Sequence, residues 1–162
     1  MNQVSGMNKS AVLSQDGRYR YLLGRVWDIN KPQITFVMLN PSTADANQDD
    51  PTLRKCIYFA QFWGYGSLEV VNLFAYRATK PRDIRQVPDP VGSENNDYLQ
   101  LATKRAAFII LAWGTNGSFQ HRNEKVLNLI SDRQPLYCLG LTKHWHPRHP
   151  LYTKNNTQPI RF

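Results

Sequence analysis

The 162-residue sequence predicts an α/β domain, a three-layer α/β/α sandwich around a mainly parallel four-stranded sheet. Three observations carry this. Strand-forming, largely apolar segments recur at Ile34–Leu39, Leu68–Phe74, Phe108–Trp113 and Leu136–Leu139, and the first, a run without polar alternation, has the mark of a strand covered on both faces. Segments of helical periodicity separate them, giving the order strand, helix, strand, helix, strand, helix, strand. Each strand also runs directly into turn-forming or polar residues.

In chain order, residues 1–17 hold few apolar anchors and are expected to be a loose N-terminal segment, with one domain over 18–162. Arg18–Trp27 reads as a strand, and Asp28–Pro32 as the turn after it. The Ile34–Leu39 run enters Asn40-Pro41-Ser42 and a carboxylate-rich loop. Asp50 then suits a helix cap, with Pro51 at the first helical position, where its missing N–H costs nothing. Leu53, Ile57 and Ala60 form the inward stripe, and Gly64 offers the stop. Ala75–Pro90, rich in proline and basic residues, reads as a long surface connection. Ser93 is placed to cap a second helix reaching about Ala106. A third covers roughly Gln120 to Asp132 and carries Val126, Leu127, Leu129 and Ile130.

Composition narrows the function. The net charge of +8 and pI near 9.7 favour a polyanionic partner, nucleic acid or a nucleotide. No apolar run has membrane-spanning length and the N-terminus lacks a signal-peptide core, so a cytoplasmic protein is expected. Cys56 and Cys138 lie in apolar segments and read as buried, reduced thiols. His146 and His149 are three apart, but the prolines around them forbid a helix presenting both, so neither a metal nor a cofactor is expected.

The candidate site follows from topology, because ligands of parallel sheets bind beyond the carboxyl ends of the strands. Asn40, Pro41, Ser42 and Asp45 follow the first apolar run, Asn72 and Phe74 close the second, and Trp113 closes the third. His146 and His149 follow the fourth, in the loop His144–Tyr152. Asn72 interrupts an apolar strand, and a buried amide is costly unless paired. It either bonds neighbouring backbone or reads a planar, amide-like ligand such as a pyrimidine edge.

Five segments, LNPSTAD (39–45), DPTLRK (50–55), VVNLFAYRAT (70–79), LAWG (111–114) and HPLY (149–152), resemble an uncharacterised family of bacterial and phage proteins. The order of motifs is also similar, more distantly, to the uracil-DNA glycosylase superfamily. That resemblance implies the following roles. Asn40-Pro41 matches the water-positioning motif of the mismatch-specific branch, Asn72 the base-reading Asn, Ala112-Trp113-Gly114 the third-strand element, and His149-Pro150-Leu151 the His loop. His146-Pro147-Arg148 is a competing register. Asn40, His149 and Asp45 would then be catalytic, and Pro41, Ser42, Asn72, Phe74, Trp113 and His146 would contact the substrate. Arg77, Lys80, Arg82 and Arg148 would meet phosphates, with Leu151 and Tyr152 filling the vacated stack. The chain departs from the superfamily in two places. The first motif has no Gly-Asp, so an ionised water activator is missing and only Asp45 or Asp50 stands nearby; the His loop lacks the small residue after its proline. The implied function is recognition or excision of a damaged or modified DNA base by N-glycosidic hydrolysis. A hydrolase of free nucleotides or nucleosides, or a non-catalytic nucleic-acid-binding module, are the alternatives.

Overall fold

The computed structural model describes residues 6–162. Seven strands form one mixed sheet: β1 (Asn8–Leu13), β2 (Arg20–Val26), β3 (Gln33–Met38), β4 (Ser67–Asn72), β5 (Phe108–Leu111), β6 (Tyr137–Cys138) and β7 (Ile160–Arg161), in the spatial order β1-β2-β4-β3-β5-β6-β7. The four strands read from the apolar runs are all present, and β4-β3-β5-β6 are mutually parallel. The expectation of a four-stranded, mainly parallel sheet is corrected by the edges. β1 and β2 extend it antiparallel on one side, and β7 does so on the other.

The loose N-terminal segment expected over 1–17 needs the same revision. Residues 1–5 lie outside the described residues, and Asn8–Leu13 are paired along β2. An exposed edge strand needs only half an apolar pattern, so little in its sequence announces it.

Helices cover both faces. α1 (Pro51–Phe62) packs Leu53, Cys56, Ile57, Phe59 and Ala60 against Leu23, Ile34, Phe36, Leu68, Val70 and Ile110. On the opposite face, α2 (Asn95–Arg105) and α3 (Arg122–Leu129) pack Leu99, Ala102 and Val126 against Val37, Val71, Ile109 and Leu111. Strand alternation explains the division, since even-numbered residues of β3 and β4 face α1 and odd-numbered ones face α2 and α3. α1 starts as its sequence dictates. Asp50 caps it by accepting from the Leu53 N–H at 2.8 Å, and Pro51 takes the first turn. Gly64, at φ +87°, turns the chain away at its end. α2 starts one residue later than the Ser93 cap implies, with Glu94 in the cap position and no side-chain cap hydrogen bond.

β2 breaks the alternation. Val12 pairs with Leu22 but Leu13 pairs with Arg20, leaving Tyr21 as an extra residue, a β-bulge. Tyr21 stacks on Tyr98 of α2 with ring centroids 5.6 Å apart, and Leu22 joins the same face. Two successive residues thus face α2, and Arg20 is re-aimed to the α1 face alongside Leu23 and Arg25. This single irregularity decides what stands in the cleft described below.

Arg25 is completely buried and fully used. Its guanidinium grips Asp49 (Nε to Oδ1 3.0 Å, Nη2 to Oδ1 2.9 Å) and donates to the carbonyls of Gly24, Asp45 and Gln48. It pins the 40–50 loop to the sheet. Replacing Arg25 by Met leaves those carbonyls without their donor and Asp49 with only Lys9, 3.6 Å away, and should cost about 3 kcal/mol in urea unfolding. A loss under about 1 kcal/mol would mean that the loop holds itself.

Candidate functional site

The carboxyl ends of the parallel strands open onto a cleft of about 350 Å³ between β2, β3, β4, the start of α1 and the His149 loop. Asn40, Asn72 and His149, from segments far apart in the chain, all line it.

Asn40 continues the α1-facing register of β3 beyond Met38. Its Nδ2 donates to the carbonyls of Pro41 (3.0 Å) and Ala78 (2.8 Å), and the Ala78 N–H returns to the Pro41 carbonyl at 2.9 Å. The amide's donor side thus ties the two loops at the cleft mouth, which leaves Oδ1 as the acceptor. Asn72 continues the register of Leu68 and Val70. It is 1 % exposed, and neither its Oδ1 nor its Nδ2 has a hydrogen-bond partner among the described residues. Its backbone, by contrast, is held. Asn95 of α2 donates to the Asn72 and Leu73 carbonyls at 2.9 and 3.1 Å, and Arg122 Nε to the latter at 2.7 Å. A buried amide with a rigid backbone and an unused head is the cleft's most informative feature.

His149 is positioned from two sides. The Gly114 N–H at the end of β5 donates to the Pro147 carbonyl (2.8 Å), and the Arg148 N–H donates to Gly140 (2.9 Å). The next residues, Pro150–Tyr152, form a 3-10 turn in which the Leu151 N–H donates to His149 Nδ1 at 3.2 Å. Nδ1 is therefore the acceptor, so the neutral ring carries its proton on Nε2. Burial holds the His149 pKa below its ordinary value, and the Asp50 carboxylate opposes this weakly. Asp50, also in the cleft wall, spends both oxygens on backbone donors, Leu53 at 2.8 Å and Ala44 at 3.3 Å.

The other expected site residues divide. Ser42 lines the cleft, and Leu151, 47 % exposed, stands at its edge. Pro41 is buried beneath it and contributes its carbonyl. Asp45 does not line it: its carboxylate closes a turn, accepting from the Asn47 and Gln48 N–H groups at 2.8 Å each, and those bonds lower its pKa. Phe74 turns into the core on the α2 face, 5.7 Å from Phe119. Trp113 also faces that side and lines a second hollow of about 450 Å³ with Arg148 and Tyr152. His149 borders both spaces. His146 lines neither, its backbone held by Thr142. Lys80 and Arg82 are exposed beside Thr79 and Pro81 of the cleft rim, while Arg77 is half-buried with Nη1 near the Gly17 carbonyl.

Arg20 was not anticipated from the sequence. It lies 4 % exposed in the cleft, donating from Nη1 to the Ala44 carbonyl at 2.8 Å, with Nε unpartnered. Burial draws its pKa down to about 10, so it stays charged at neutral pH.

Among the described residues, no three His, Cys, Asp or Glu side chains gather, and no helix is long and apolar enough to cross a membrane. Both cysteines are buried and unpaired.

Fold and site together define an α/β domain with a cleft at the carboxyl ends of β3 and β4, apolar in much of its wall and carrying a few polar groups. The chain belongs to the family described as protein of unknown function (DUF1643), which matches residues 20–151 and so spans both the sheet core and the cleft. No curated protein and no solved structure matches it.

Two outcomes follow from this geometry. Asn72→Leu, which removes an unpartnered amide at similar volume, should stabilise the ligand-free protein by about 1 kcal/mol in urea unfolding. Destabilisation would make Asn72 a structural residue. For His149, the folded pKa lies below the unfolded value. Its contribution is therefore complete above the ordinary imidazole pKa and is lost as pH falls through the lowered one. Between about pH 7.5 and about pH 5, His149→Gln should show a smaller drop in Tm than the parent. Equal slopes would place the titration elsewhere.

Proposed function

We propose that this protein is a uracil-DNA-glycosylase-like base reader, which recognises a damaged or modified base in DNA and excises it by hydrolysis of the N-glycosidic bond. The observation that supports it most is Asn72, whose donor and acceptor both lie unused in a cleft whose walls include Leu23, Met38 and Val70. An amide held this way matches the N–H and C=O edge of a planar lactam. Desolvation without a ligand is unfavourable, so the ligand recovers the missing hydrogen bonds.

A base must leave the stack to reach such a depth. In the proposed reaction Asn72 selects the base edge and the neutral His149 donates from Nε2 to a ring oxygen that gains negative charge as the carbon–nitrogen bond breaks. Asn40 orients a water through Oδ1; the water's oxygen bonds to the sugar carbon and its proton ends on the departed base anion. Leu151, at the cleft edge, fills the vacated stack, and Lys80, Arg82 and Arg148 meet the backbone phosphates. The parallel four-strand core with helices on both faces is compatible with the superfamily's three-layer architecture. One feature favours a second reading, a base-binding module without turnover. Asp50, the one carboxylate among the cleft-lining residues, is committed to capping α1 and is poorly placed to accept a proton.

Duplex and single-stranded oligonucleotides carrying modified bases, each treated with alkali after incubation, separate these readings. The expected result is an abasic product from at least one pyrimidine lesion, slowed about a hundredfold by His149→Gln, with binding that weakens steeply as salt rises. Tight lesion-specific binding without product supports the second reading. No product and no binding above random-sequence DNA overturns both.

A further inference from the structure

Two buried arginines stand on the same face of β2, and they differ in what they have left to give. Arg25 spends its guanidinium on Asp49 and loop carbonyls. Arg20, re-aimed by the bulge at Tyr21, makes one side-chain hydrogen bond, to Ala44. No carboxylate lies within 4.0 Å of it among the described residues, and Asp50, the carboxylate that acts on it most strongly, is engaged with backbone N–H groups. A buried cation without a paired anion is expensive to maintain. It stands in the wall of the same cleft as the unpartnered amide of Asn72. The first turn of α1 opens into this cleft too, but Asp50 caps it, so Arg20 is the positive group left to meet an anion.

We infer that the cleft is a receptor for an anionic planar heterocycle, in which Arg20 holds the delocalised negative charge while Asn72 pairs with a ring N–H and its neighbouring carbonyl. This rests on the base-reading role of Asn72 proposed above and names the charge state of what is read. The donor set favours a ring over a phosphate. Asn72 Oδ1 requires a donor, which a dianionic phosphate lacks and a lactam N–H supplies. Leu23, Met38 and Val70 offer a ring apolar contact and a tetrahedral anion nothing. A cyclic ureide, which has more than one acidic position, meets every requirement once it has lost one proton. It keeps an N–H for Oδ1, a carbonyl for Nδ2, and a charged oxygen for the guanidinium.

Calorimetric titration of the full chain with free rings tests this. Barbiturate shares the uracil ring but is anionic at neutral pH, where uracil is neutral. Barbiturate should bind about tenfold tighter than uracil, and Arg20→Gln should reduce that preference to less than about twofold. Asn72→Ala should weaken both rings alike. If Arg20→Gln does not fold, Arg20→Lys, which keeps the charge and loses the planar fork, should retain part of the preference. Equal affinity of the parent protein for the two rings overturns the anion receptor and leaves base reading intact. Binding of neither ring overturns base reading with it. Displacement of barbiturate by inorganic phosphate at similar concentration reassigns Arg20 to phosphate, and overturns the inference as well.

Discussion

The cleft exists because a loop without secondary structure is held over the end of a sheet. Residues 40–50 expose carbonyls and N–H groups that no neighbouring strand can satisfy, and buried backbone polar groups must be paired. β2 supplies the donors. Arg20 takes the Ala44 carbonyl, and Arg25 takes those of Asp45 and Gln48 together with the Asp49 carboxylate. Asp50 takes the Ala44 N–H from the other side and caps α1 with its second oxygen. Arginine suits this work because one rigid fork reaches several acceptors at once. Everything placed at the cleft mouth, including Asn40 and Ser42, inherits its position from these bonds.

Stability and recognition pull apart at the cleft floor. Neighbouring elements hold the strand carrying Asn72 from behind, through Asn95 and Arg122, and leave its amide head empty. An apolar side chain there would suit the fold better, since Val70, the previous residue on that face, sits in the α1-facing core. The same tension surrounds His149. Its ring is fixed as an acceptor at Nδ1 and kept neutral by burial, an arrangement that helps folding little but leaves one N–H donor in a definite place. Groups that are costly to the fold and rigidly held are those a site would need.

Much of this could be read in the residues, because the physics involved is local. Largely apolar runs disclosed the four parallel strands, and the rule that ligands bind beyond their carboxyl ends gathered Asn40 and Asn72 at one edge. Asp50-Pro51 announced α1. What escaped depended on partners distant in the chain. β1 and β7 are exposed edge strands whose residues carry no strong pattern, and only pairing defines them. Phe74 follows the end of β4, where alternation lapses, and Trp113 sits in register with Leu111 on the α2 face. Asp45 looked like a free carboxylate, but short polar side chains in loops commonly bond their own backbone, as this one does. Arg20 was hidden most deeply. Regular alternation would point it at α2, and only the extra residue at Tyr21 turns it into the cleft.

That hidden residue bears on how the proposed chemistry would be driven. Hydrolysis at a glycosidic carbon can be helped at the attacking water or at the departing base. On the water side stand Asn40, whose donors are occupied and which cannot take a proton, and Asp50, whose oxygens are in use. On the base side stand an unused amide, a neutral imidazole with its N–H free of protein partners, and an arginine with donors to spare. In the proposed reaction, a site furnished so unequally would concentrate its stabilisation on the charge that the base acquires as the bond stretches. The missing water activator and the unexpected arginine are then two sides of one design, in which a good leaving group replaces a strong nucleophile.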